Sequence, residues 1–243
     1  MIKYQTTRLL PEANFSIWGI FFVSFSMSIL ACQNIKFETG EENPLFEEIS
    51  NFSEIDINII DSIYLENLES KYQDIPDLNS ATVKELFEGY NQPETEIYQY
   101  EHISDFLKID SLKGADSHEA YTQSLDIGMI RDAKAFKIGI ASLGNDKKGA
   151  LWGIWYSSYE ACPYYHGLDL YLSVFENQKL KRTFKVGSNF SSVDPPVAVY
   201  NPISSTLNGS ELIIKLESNE IDLMEDGREE IVKNQTQIND YQL

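Results

Sequence analysis

The chain has 243 residues, 38 aspartates and glutamates against 19 lysines and arginines, and a formal net charge of −19. A surface this anionic repels nucleic acid and acidic lipid headgroups, which excludes charge-driven binding to either. With two cysteines, Cys32 and Cys162, the chain is no disulfide-stapled scaffold, and it is long enough to bury a core without staples.

In chain order, the first element is an apolar run from Ile17 to Ala31, behind a sparsely basic start that carries Lys3 and Arg8. Three serines and Gly19 dilute it, and it falls short of the roughly 20 apolar residues that a spanning helix needs. Its length and flanks suit the apolar part of a secretory signal. Cys32 follows at once, and Ile29-Leu30-Ala31-Cys32 resembles the cleavage motif of bacterial lipoproteins, with an apolar residue three places before the cut and a small one directly before it. The resemblance implies that residues 1–31 are removed as a signal peptide and that Cys32 carries the lipid. The chemistry calls for cysteine, because a thiolate is the nucleophile able to accept a diacylglycerol group. Two or more acyl chains then hold the protein firmly, so its membrane partner is reached through Cys32. The chain is similar in this respect to envelope lipoproteins of the Bacteroidota. That likeness implies export and anchoring to the outer membrane, on its periplasmic or surface face. Gln33, standing where an aspartate would signal retention, agrees.

Residues 32–54 read as the lipidated cysteine and an acidic tether, around Glu38-Thr39-Gly40-Glu41-Glu42-Asn43-Pro44. Residues 55–243 read as a single globular domain. Ile55 to Ile59 alternates like a half-buried strand, and Leu65 to Tyr72 suits a short helix. A clearer helix starts near Asn79-Ser80, with Thr82 and Glu85 at capping-box spacing, Val83, Leu86 and Phe87 on one face, and Gly89 at its end. Glu96 to Tyr100 reads as strand, Ser104 as the cap of a short helix over 105–108, and 117–124 as helix.

From about residue 135 the texture becomes β. Strands are expected over Phe136–Ile140, Leu151–Tyr156, Leu168–Val174, Leu180–Val186, Val197–Leu207, Ser210–Leu216 and Glu229–Gln242. Turns are expected at Gly144-Asn145-Asp146, in a four-residue loop over 176–179, at Asn208-Gly209, and at Asp226-Gly227. In the fourth strand Leu180, Phe184 and Val186 share a face with Arg182 as its odd member, and Lys181, Thr183 and Lys185 oppose them. The fold class is therefore α+β: a small, acidic, helical or mixed N-terminal part, then an antiparallel β-meander able to curl into a half-barrel or pack as a sandwich.

Function is expected to be binding rather than catalysis. The segment from Tyr156 to Gly167 gathers tyrosines, Cys162 and His166 between two strands. Trp152, Trp155, Tyr164 and Tyr165 are the candidate ligand surface, an aromatic shelf for a glycan or an envelope protein. Two alternatives stand beside it. One is an inhibitor or immunity-type lipoprotein that meets a basic partner through the acid of residues 38–105. The other is a hydrolase with Cys162 as nucleophile and His166 as base, for which no flanking motif is present; the bland reading makes Cys162 a small buried hydrophobe. No cofactor is implied. His102, His118 and His166 lack ligand spacing, and the calcium-loop look of Asp222 to Gly227 fails at Met224 and Lys233.

Overall fold

The structure, a computed structural model, describes residues 43–90, 95, 97, 101–111, 132–158, 164–224 and 228–243. These belong to one compact unit, Glu42–Leu243. The strand expected over 96–100, apart from Ile97, the helix over 117–124, the Asp226-Gly227 turn, Cys32, His118 and Cys162 all lie outside the described residues.

The folded part begins earlier than the sequence suggests. Helix α1, Pro44–Ser50, opens on Asn43, whose side chain accepts from the Leu45 amide while Pro44 fills the first turn. Leu45, Ile49 and Phe52 are all buried, so the tether does not run to residue 54. Its acidic residues hid two core positions one helical turn apart. The strand expected over 55–59 is largely absent. Residues 53–60 instead run as a clasp. Ser53 O and the Ile55 amide bond to Ile140, while strand β1, Ile59–Ile60, pairs with Thr206 and Ser205.

Helix α2, Ser62–Glu69, is capped by Asp61, and α3, Ser80–Glu88, by Asn79. Thr82 is thus not a cap. Its amide donates to Asn79 and its hydroxyl to Glu48 of α1. Gly89 ends α3 at φ −81, so no left-handed backbone asks for glycine there. The close approach does: a Cβ would meet Leu180 at 3.0 Å. Helix α4, Ile103–Ser111, begins ahead of Ser104 and is capped from Glu101, whose carboxylate accepts from the amides of Ile103 and Ser104.

Seven long strands follow: β2 Asp132–Gly144, β3 Lys147–Ser157, β4 Tyr164–Glu176, β5 Lys179–Asp194, β6 Val197–Asn208, β7 Glu211–Leu223 and β8 Glu229–Gln242. They pair in chain order, all antiparallel, as one open sheet, with β1 added beside β6. The protein is therefore mostly antiparallel sheet with a few helices. Two turns are tighter than a loop-length reading implies. Asn145-Asp146 and Asn177-Gln178 hold positive φ at both central residues, which makes two-residue hairpins matching the strand twist and replaces the four-residue loop over 176–179.

Alternation sends side chains to two apolar faces, and both are covered. On the helix face, Trp152, Ile154, Tyr156, Tyr171 and Phe190 pack beneath α1, α3 and α4. On the inner face, Phe136, Leu151, Leu170, Leu172, Val186, Leu212 and Ile214 pack together with Ile60 and Leu65. The sheet curls about this second cluster. Lys147 Nζ at the start of β3 donates to Leu243 O beyond β8 at 2.8 Å, and the clasp reaches both β2 and β6.

Gly153 sits in tight packing, since a Cβ there would lie 2.7 Å from the Phe136 ring and 3.1 Å from Asp169 O. Gly153→Ala is expected to cost about 1–3 kcal/mol through overpacking. Urea unfolding should show a lower midpoint with an unchanged slope.

Candidate functional site

The aromatic shelf does not form. Trp152 and Trp155 are three residues apart on one strand, and Tyr164 and Tyr165 are adjacent, so alternation sends each pair to opposite faces. Trp152 is fully buried and stacks on Tyr171 at 4.6 Å. Trp155 packs on the inner side and stacks on Tyr72 at 4.5 Å. Tyr165 leans on Phe190 of the helix face, while Tyr164 is exposed beside His166. His166 is engaged by a carboxylate, with Nε2 at 2.9 Å from Glu69 Oε1.

Burying Trp152 requires a partner for its indole N–H. The indole donates to Ser173 Oγ at 2.9 Å. Ser173 and Thr183 hydroxyls lie 2.8 Å apart, and Thr183 Oγ1 donates to Leu86 O at 2.8 Å. With a pure donor at one end and a carbonyl at the other, every hydroxyl proton in this chain points from the sheet toward α3.

The densest chemistry lies one register further along the same face. Asp169 of β4 is wholly buried. Its Oδ2 lies 2.7 Å from His102 Nδ1 and 2.8 Å from Lys185 Nζ, and Oδ1 accepts from Ser188 Oγ at 2.7 Å. Burial pushes the Asp169 carboxyl up, but Lys185 and His102 outweigh it and hold it down at about 2. Burial lowers the His102 imidazole against the pull of Asp169, so the ring is neutral and carries its proton on Nδ1, toward the carboxylate. The ring stacks on Tyr156 at 3.6 Å. Burial raises the phenols of Tyr90, Tyr156 and Tyr171 and the carboxyl of Glu101 around it. Tyr171 O–H donates to Glu101 at 3.3 Å, which ties the cap of α4 to the same cluster.

A histidine held by a carboxylate is half of a general-base arrangement. Here His102 and Asp169 have 1% and 0% of their surface exposed, beneath Tyr156, Phe190 and α4. The pair therefore touches protein, and what it can do is position α4 on the sheet. Sequence reading missed it because Asp169 and Lys185 sit at the polar positions of alternating strands, which read as the wet face, and because Ser188 reaches that face only through a register shift in β5. The available signal was an acid and a lysine, Asp169 and Lys185, in the middle of neighbouring hairpin strands.

Among the described residues, no cluster of three or more histidines, cysteines or carboxylates could hold a metal ion, and no helix is long and apolar enough to cross a membrane. In comparisons with known proteins, no family model matches the chain, nor does any curated protein or solved structure.

Asp169→Asn leaves the Lys185 ammonium buried without its counter-charge and should cost about 3–5 kcal/mol at pH 7. Asp169 is held at about 2 against about 3.9 in the unfolded chain, so its contribution is complete above roughly pH 4 and is lost as pH falls toward 2. His102, lowered when folded, destabilises the native state as pH drops below about 6.5. Chemical denaturation across pH should show both windows in the natural protein, and only the His102 window in Asp169→Asn.

Proposed function

We propose that the chain is an envelope lipoprotein, anchored through Cys32, whose folded part is a non-catalytic binding module for a glycan or another envelope component. The observation that carries the binding reading is the sealing of the Asp169 cluster. The strongest acid–base arrangement among the described residues is closed off by aromatic rings and α4, where no substrate can meet it. Support for the anchor comes from the sequence, where Ile29-Leu30-Ala31-Cys32 directly follows the apolar run. On this reading the curled sheet is a half-barrel on a lipid mooring, and its partners meet it at the rim of the inner face. The net charge of −19 keeps the folded part off acidic headgroups, so attachment rests on acyl chains.

Growing producing cells with an alkynyl palmitate analogue tests the anchor. The natural protein should take up label and fractionate with membranes, and Cys32→Ser should lose both. An unlabelled natural protein, or a Cys32→Ser variant that stays on the membrane, ends the reading.

A further inference from the structure

We propose that the cleft between the start of β5 and the end of β8 binds a carboxylate-bearing ligand, a uronic acid being the simplest of its class. This deepens the binding-module reading, on which it rests, by naming the ligand's chemistry. The cavity is about 310 Å3, near the small end of ligand pockets, and its lining includes Lys147, Lys181, Arg182, Glu176, Val174 and Phe184.

A bulge borders the site. Val174 pairs with Arg182 but Phe175 pairs with Leu180, so Lys181 is the extra residue. Without it Leu180 and Arg182 would share a face. With it Leu180 packs under the helices, while Arg182 keeps the inner face that alternation gives it with Phe184. Bulges commonly re-aim a side chain in this way near functional sites.

The Arg182 guanidinium lies over the Phe184 ring at 4.7 Å and the Tyr241 ring at 5.2 Å, which fixes its plane. Its Nε is buried and has no hydrogen-bond partner among the described residues. In a chain with 38 acidic residues a carboxylate is easily supplied, yet none among the described residues pairs with Arg182. The carboxylate at hand, Glu176, is taken by Lys181 at 3.2 Å and Lys147 at 3.8 Å. The cleft thus presents a permanently charged planar fork, two lysines and one neutralising glutamate. A fork matches a carboxylate through two parallel N–H donations. Val174 and Phe184 offer apolar surface to the ring that carries it.

Full-length lipidated protein in detergent would be titrated with D-galacturonate by calorimetry, with neutral galactose, inorganic phosphate and sulfate as the other arms. Saturable binding of galacturonate and none of galactose is expected. Arg182→Gln should weaken binding about tenfold or more, the scale of a lost charged hydrogen bond. Arg182→Lys should recover only part, because it keeps charge but not the fork. Should Arg182→Gln fail to fold, half-exposed Lys181→Gln carries the test, with an unchanged melt and weaker binding expected. The proposal is overturned by no galacturonate binding, by equal galactose binding, by tighter phosphate or sulfate binding, or by affinity unchanged in the folded variants. A negative titration with Cys32 labelling intact removes this cleft and leaves the anchored module standing.

Discussion

The structure turns on one carboxylate that has no water. An ionised Asp169 inside a β-sheet is tolerable only if a cation and several donors reach it at once. Those partners come from two places far apart in the chain: Lys185 and Ser188 on the neighbouring strand, and His102 at the entrance to α4. A register slip of β5, or a shift of α4, would strand a buried charge. The cluster adds little net attraction once desolvation is counted, but it makes alternative packings of helix on sheet costly.

The strands were legible in the sequence because alternation is a local signal. β8 runs from Glu229 to Gln242 as expected, β6 ends at Asn208, one residue past its expected end, and β7 runs on past Leu216 to Leu223. The two-residue hairpins were less legible. Asn-Asp and Asn-Gln carry no glycine, and their positive φ comes from the tolerance of asparagine-like side chains together with the twist demanded by strands on either side. The clasp over 53–60 was misread as an ordinary strand because its alternation is real. Its partners change halfway, from Ile140 on β2 to the end of β6, and only tertiary structure sets that change.

The candidate site was the least legible part, for a reason that lies in the sheet itself. Period-two patterning tells which residues share a face, and it already separates Trp152 from Trp155. It does not tell what covers the more polar face. Thr183, Lys185, Asp169 and Ser173 look solvated in a strand that alternates so cleanly, yet α3 and α4 lie over them. A polar row under a helix must be internally satisfied, and the row meets that demand with a hydroxyl chain ending on Leu86 O and a charge cluster around Asp169.

β5 shows how alternation divides two roles. Three residues apart, Arg182 and Lys185 are both cations on a strand of an acidic protein. The register carries Lys185 to the helix face, where it is matched by Asp169 and locked from water. Alternation carries Arg182 to the other face, where two aromatic rings orient it and no carboxylate among the described residues pairs with it. A buried, matched cation is spent on holding elements together. A cation held flat by rings at a cleft has its donors left for something from outside. The same strand can serve both ends because its two faces meet different partners, Asp169 against Lys185 and the rings of Phe184 and Tyr241 against Arg182.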